Sequence, residues 1–367
     1  MLVSLQTNPL LAAITRILIY YGYSFMLIFG NIGNALNVVL FIRKKLRTTS
    51  CNNYFLVSAF SNLIALNVTI IPLLFMEAQH FEETVLLCKI QGYIMNAALQ
   101  ISRYLILTAS FDRFALCSTN AYLRKFSNVR IARRYMIPSI IIIWLIIPLH
   151  IPVWINFENN ICGFIGIAAQ YEIIYSIVMI GILPPGLMLL FSLLIFRNLK
   201  LRQQRRQIHP FIIGNSIQPI NRNRDARIKD QHVLAMLLVQ VFAYIISSTP
   251  YTISMLYVVL TTSNHNNPSN EQESTMIFII YVTNMLRFIC PFMSFYLFLS
   301  ASKLYRREMI LIILSVYHRC ILLWKKPEND LHHHHHHHHH ARTLTRHTGP
   351  IRQINHRQQK NQAFSNS

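Results

Sequence analysis

Two arginines stand in apolar surroundings, Arg103 within the stretch from Ile90 to Phe111 and Arg287 within the stretch from Met276 to Ser300. A guanidinium in hydrocarbon costs upwards of about 3 kcal/mol and faces a partner or water. Neither stretch holds a carboxylate. Backbone carbonyls, Asn62, Ser102 and water are the plain partners to expect, and an anionic ligand is the sharper one. Where the first of these stretches ends comes a charged pair, Asp112-Arg113, followed by Phe114. An arginine there can pair with its neighbour or reach toward lipid headgroups. No Gly-rich phosphate loop, metal-ligand pair or nucleophile elbow occurs, so no catalytic residue, cofactor or metal site is expected and the chain does not read as an enzyme. The run from His332 to His340 binds divalent ions as any such low-complexity tract does, without that being its function.

The elements that must carry these residues are seven apolar spans, running from Ile17 to Ile42, Tyr54 to Met76, Ile90 to Phe111, Tyr135 to Phe157, Ile173 to Phe196, Val233 to Leu260 and Met276 to Ser300. Each is long enough for a hydrocarbon core that needs about 20 helical residues. With 53% apolar and 13% charged residues the chain is a polytopic membrane protein. Its net charge of +21 would suggest nucleic acid on a soluble surface. Here the cations sit in alternate gaps: Arg43, Lys44, Lys45 and Arg47 in the first, Arg113, Arg124, Lys125, Arg130, Arg133 and Arg134 in the third, and more in the fifth. The other gaps carry Glu77, Glu82 and Glu83, then Glu158 and Glu172, then Glu271 and Glu273. Lys and Arg stay on the cytoplasmic side, so the amino terminus is expected outside and the carboxyl tail inside, in contact with membrane lipids and not with nucleic acid. That topology puts two cysteines outside, Cys88 and Cys162, in an oxidising compartment, and a disulfide between them is expected.

With Asp112-Arg113-Phe114 at the end of the third span, the chain resembles the rhodopsin-like (class A) family of G-protein-coupled receptors. Gly33-Asn34, Trp144, Pro184 or Pro185, Pro250 and Pro291 are similar to that family's marks in the first, fourth, fifth, sixth and seventh helices. The resemblance covers roughly Phe29 to Met309. It implies an all-α membrane protein, a seven-transmembrane helix bundle with the N-terminus outside and an amphipathic eighth helix on the inner leaflet. It implies a plasma-membrane, multi-pass receptor that passes an extracellular signal to a heterotrimeric G protein as the sixth helix moves outward. In the family an acid below the sixth helix latches the arginine, and Asp230 stands there. The prolines remove backbone hydrogen bonds and supply kinks for such motion.

Four departures from the family pattern bear on the mechanism. The second-span acid that helps hold sodium is Asn62, the seventh-span Asn-Pro-x-x-Tyr is Cys290-Pro291-Phe292-Met293-Ser294, and the tryptophan before the sixth-span proline is Ser248. Tyr296 is a poor substitute for the missing tyrosine, so the relay passes to other side chains, Tyr244 among them. The fourth departure is the pair Arg103 and Arg287, which joins Asn34, Asn62 and Ser102 as the expected polar core of the bundle. Met95 stands where amine receptors keep an aspartate, and the seventh span holds no lysine for retinal. Glu77, Glu82, Glu83, Glu158, Glu271 and Glu273 would steer a cationic ligand, so a peptide is expected, over a pocket with Met95, Tyr251 and Tyr281 in its lining.

The expected layout is a short extracellular tail over 1–16, a receptor domain over 17–300, a juxtamembrane amphipathic segment over 301–324 and a disordered basic, His-rich cytoplasmic tail over 325–367. Within the juxtamembrane segment, Lys303, Arg306, Arg307 and Glu308 are expected on the wet side and Leu304, Tyr305, Met309 and Ile312 toward lipid, with Cys320 a candidate for palmitoylation. The alternative class is a membrane transporter or channel for a small or anionic solute, which the buried arginines keep open and the lack of an inverted repeat opposes.

Overall fold

The computed structural model describes residues 9–77, 84–158, 161–208, 220–263 and 270–325, and within these ranges the side chains of Glu158, Cys162, Asp230, Glu271, Glu273 and Cys320, among others, fall outside the description. The described residues are helical almost throughout. Eight helices carry the architecture: α1 (Pro9–Ile42), α2 (Ser50–Glu77), α3 (Val85–Cys117), α4 (Val129–Trp154), α5 (Ile167–Leu201), α6 (Ile220–Ser263), α7 (Ser274–Ala301) and α8 (Lys303–Lys325). Among the described residues, six helices are long and apolar enough to cross a membrane, all of these but α3 and α8. Runs such as Ile140 to Ile143 in α4 have only modest helix propensity in water. In lipid the backbone must satisfy itself, and the helix is the form that does so within one segment.

Of these two, α3 is 33 residues long and is wrapped by α2, α4, α5 and α6. Enclosure by protein explains its polarity: Gln100, Ser102, Arg103, Ser110, Asp112 and Arg113 are all buried among neighbouring helices. Its start is fixed by Thr84, whose Oγ1 accepts the Leu87 N–H at 3.3 Å, an N-cap. The peripheral helices show the reverse pattern. Ile28, Ile32 and Val39 on α1, Ile142 and Ile146 on α4, Leu189, Leu193 and Phe196 on α5, and Ile246 and Ile253 on α6 all point outward. An apolar surface of that extent belongs against hydrocarbon.

Close approach between α1 and α7 depends on Gly33, where an added Cβ would stand 3.0 Å from Phe295 Cβ. Inside the bundle, Tyr23, Leu66, Ile70, Leu99, Phe288 and Phe292 form a continuous core, and Trp144 lies against Tyr104 with ring centroids 4.3 Å apart.

Several expectations are corrected. The first helix begins at Pro9, ahead of Ile17. The fourth ends at Trp154, and Phe157 lies instead in a two-stranded antiparallel hairpin, β1 (Asn156–Glu158) with β2 (Ile161–Gly163). Glu172 is no gap residue: it sits within α5, its side chain 15% exposed and its Oε2 3.0 Å from His150 Nε2. At the start of α8 Lys303, Arg306 and Arg307 are exposed, and the amphipathic pattern fails at two positions. Tyr305 is 1% exposed and packs on Phe41, Phe295 and Phe298 rather than facing lipid. Glu308 is also 1% exposed, held by Arg43 Nη1 at 3.0 Å and Lys45 Nζ at 2.5 Å. The two cations come from the loop after α1, and they offset the cost of burying the carboxylate and tie the start of α8 to that loop. Ile310 and Leu311 are exposed as well.

By its contacts the chain divides into Met1–Leu311, which holds the bundle, and Ile312–Ser367. The described part of the second is the remainder of α8, with Ile313, Leu314 and Tyr317 exposed.

Candidate functional site

At the far end of α3 from Thr84, Asp112 and Arg113 are both 3% exposed. Arg113 Nη2 and Nε donate to Asp112 Oδ2 at 2.7 and 3.1 Å. Ser50, the first residue of α2, donates its hydroxyl to the same oxygen at 2.7 Å and accepts from Arg113 Nη2 at 3.2 Å. A charge-assisted, buried triangle of this kind fixes the guanidinium. Sequence reasoning found the acid and the base but missed Ser50, which no local motif ties to them. Asp230 lies on α6, and its side chain is outside the described residues.

A second polar group runs between α1, α2, α3, α7 and α8. Ser58 and Ser102 share a hydrogen bond at 2.8 Å, Ser102 donates to Asn62 Oδ1 at 2.6 Å, and Asn62 donates to Asn34 Oδ1 at 3.2 Å. Asn34 spends its own amide protons on the carbonyls of Gly30 and Pro291, at 2.8 and 2.9 Å. Ser294 donates to Asn34 Oδ1 at 3.2 Å, Asn37 donates to Ser294 Oγ at 3.1 Å, and Tyr305 Oη closes the chain on Asn37 Oδ1 at 2.5 Å. Burial pushes the Tyr305 phenol pKa well above its ordinary value, so it stays a donor. The expected trio Asn34, Asn62 and Ser102 is therefore together, while Asn37, Ser58, Ser294 and Tyr305 were missed. Ser294 and Tyr305 supply the polar contacts that the altered seventh-span motif lacks; Tyr296 bonds elsewhere, to Phe29 O at 3.2 Å.

Arg103 and Arg287 do not join that group. Arg103 Nη1 bonds Gln100 Oε1, one helical turn away on α3, and its guanidinium carbon lies 5.4 Å from the Tyr244 ring centroid. Arg287 lies over Tyr251 at 4.5 Å, and its side of the bundle also presents Phe288 at 5.9 Å. Both are cation–π placements, which suit a weakly hydrated guanidinium in apolar surroundings. Of the expected pocket residues, Met95 and Tyr281 pack together on the Tyr23 core, and Tyr281 meets Tyr23 edge-on with centroids 6.1 Å apart. Tyr251 stands apart from that cluster, beneath Arg287.

The proline sites follow from backbone hydrogen bonding. Pro184 has no N–H to give the carbonyl of Ile180, and the helix just before it, Ile177–Ile182, is widened into π geometry. Tyr244 Oη on α6 donates to that carbonyl at 2.7 Å. Pro185 repeats the defect one residue on, Pro250 lies within α6, and Pro291 follows a break in α7 at Phe288. Ser248 is buried with its hydroxyl returned to Tyr244 O at 2.8 Å. Cys88 is disulfide-bonded, and Cys290 is a buried thiol. The backbone of Cys162 lies in β2 opposite Phe157; its side chain, like that of Cys320, is outside the described residues.

The bundle thus presents an apolar outer surface and encloses a helix that ends in a buried Asp-Arg pair. The chain belongs to the 7 transmembrane receptor (rhodopsin family), whose profile matches residues 33–293. No curated protein matches it. As a member it is a multi-span membrane receptor, and that family consists of receptors rather than enzymes.

Proposed function

We propose that this receptor lies in the plasma membrane with its amino terminus outside and α8 on the inner leaflet, and that it activates a heterotrimeric G protein. In this reading the third helix crosses the membrane with the other six, and an extracellular ligand, a peptide, shifts a two-state bundle by its difference in affinity for the two states. The observation that carries the reading is the Asp112–Arg113–Ser50 triangle, which ties the arginine to α2 and α3. Release of that triangle, with loss of an Arg113–Asp230 latch and outward movement of α6, would free the guanidinium for the G protein. Cys88 pairs with Cys162 on the outer side, Cys320 carries a palmitoyl chain, and Glu77, Glu82, Glu83, Glu158, Glu271 and Glu273 attract a cationic peptide.

The test is guanine-nucleotide exchange on heterotrimeric G proteins in membranes carrying the receptor, with and without peptide pools. Exchange that Arg113→Ala abolishes at equal surface density is expected. Solute or ion flux with no nucleotide exchange would instead favour the transporter or channel.

A further inference from the structure

His150 stands near the end of α4 and Glu172 near the start of α5, on either side of the segment that carries the hairpin β1–β2. Their side chains are nearly enclosed, at 13% and 15% exposed, and His150 Nε2 lies 3.0 Å from Glu172 Oε2. The other ring nitrogen, Nδ1, lies 2.9 Å from the carbonyl oxygen of Ile147. Three aromatic rings meet the imidazole edge-on, with centroids 5.7 Å away for Trp154, 5.3 Å for Tyr171 and 5.1 Å for Tyr175. The ring is thus held with each nitrogen against an oxygen.

A backbone carbonyl and a carboxylate only accept, so the two contacts need two protons, and a neutral imidazole carries one. The second is held either on the ring, as an imidazolium facing a carboxylate, or on Glu172, as an acid donating to Nε2. The two residues share it and titrate as a pair. When it leaves, one contact fails whichever nitrogen keeps the remaining proton, because two acceptors then face each other where little water can separate them. Around the pair, α5 contributes Tyr171 and Tyr175, α3 contributes Asn96 beside Glu172 and, acting on Tyr175, Arg103 and Tyr104, and α7 contributes Arg287 within electrostatic range of Glu172. None of these can stand between atoms 3.0 Å apart.

We propose that His150 and Glu172 form a proton-binding clasp between α4 and α5, complete when it holds the second proton and weakened as pH rises. In the orientation proposed above it lies on the outer side, so the pH it reads is extracellular. The clasp itself rests neither on that orientation nor on the ligand or the G protein. Folding favours the proton through these contacts. Their stabilisation is therefore full where an unfolded histidine is itself protonated, below about pH 6.5, and fades as pH rises past that value.

The test uses the full-length receptor in detergent micelles and reads its unfolding temperature from about pH 5.5 to about pH 9, beside that of Glu172→Gln. The introduced amide donates to a neutral Nε2 without a titrating proton, so this variant keeps both contacts throughout that range. Other histidines titrate alike in both proteins, and the difference between the two temperatures isolates the pair. The unaltered receptor should lose about 2–4 °C relative to Glu172→Gln across the range, most of it above about pH 6.5. His150→Gln, whose amide donates to the carboxylate at any pH, should also lack the pH-dependent part, and it serves as the reference should Glu172→Gln fail to fold. A difference that stays constant with pH overturns the proposal, as does one that changes in the opposite direction.

Discussion

Tyr244 on α6 donates its hydroxyl, at 2.7 Å, to the carbonyl of Ile180 on α5, the oxygen that Pro184 cannot serve. A defect imposed by one helix is thus made good by its neighbour, which couples the two. Tyr244→Phe should lower stability by about 1–3 kcal/mol, the cost of a buried acceptor left unpaired. Pro184→Ala restores a backbone donor to that carbonyl, so Tyr244→Phe should cost less in the Pro184→Ala background. Thermal unfolding of the four proteins in detergent measures this, and strictly additive losses would remove the coupling.

Asn62 has both ends of its amide engaged, donating to Asn34 and accepting from Ser102. With no carboxylate at that position, and a neutral amide oxygen that already accepts from Ser102, the site holds a sodium ion far less well than an acid would. Signalling should be unchanged when sodium is replaced by a large organic cation. Asn62→Asp should introduce sodium dependence, read in the same nucleotide-exchange assay; a clear sodium effect in the unaltered receptor contradicts the account.

Glu308 holds Arg43 and Lys45 while nearly excluded from solvent. Either cation alone leaves the carboxylate one partner, so Arg43→Ala and Lys45→Ala should each be mild. Together they strand a buried charge, and the double variant should lose about 3–5 kcal/mol, well above the sum of the singles. A double variant equal to that sum would mean that the carboxylate finds water.

A bond between Cys88 and Cys162 predicts that Cys88→Ser, Cys162→Ser and the double variant unfold at the same temperature, since each removes one and the same link. A double variant less stable than either single would mean separate partners.

How much of this was legible in the sequence depended on the range of the interaction. Apolar runs and alternating charge located the spans because hydropathy is a local sum. Asp112-Arg113 was legible because the partners are adjacent. The proline defects were legible, but Tyr244 as their remedy was not, since nothing in α6 records which carbonyl of α5 is free. The burial of Tyr305 and Glu308 was not legible because their partners, Phe41 for the ring and Arg43 and Lys45 for the carboxylate, are distant in sequence. The Gln100–Arg103 contact spans a single helical turn and could have been read from spacing. Glu172 was missed as an interior acid because apolarity alone placed the start of α5 too late.

The central claim is that the Asp112–Arg113–Ser50 triangle restrains an arginine needed for G-protein activation. The most direct measurement is ligand-free nucleotide exchange, at equal surface density, by the unaltered receptor, Ser50→Ala, Asp112→Asn and Arg113→Ala. Ser50→Ala and Asp112→Asn should raise basal exchange and Arg113→Ala should bring it to the level of receptor-free membranes. Basal exchange that is the same in all four would contradict the account.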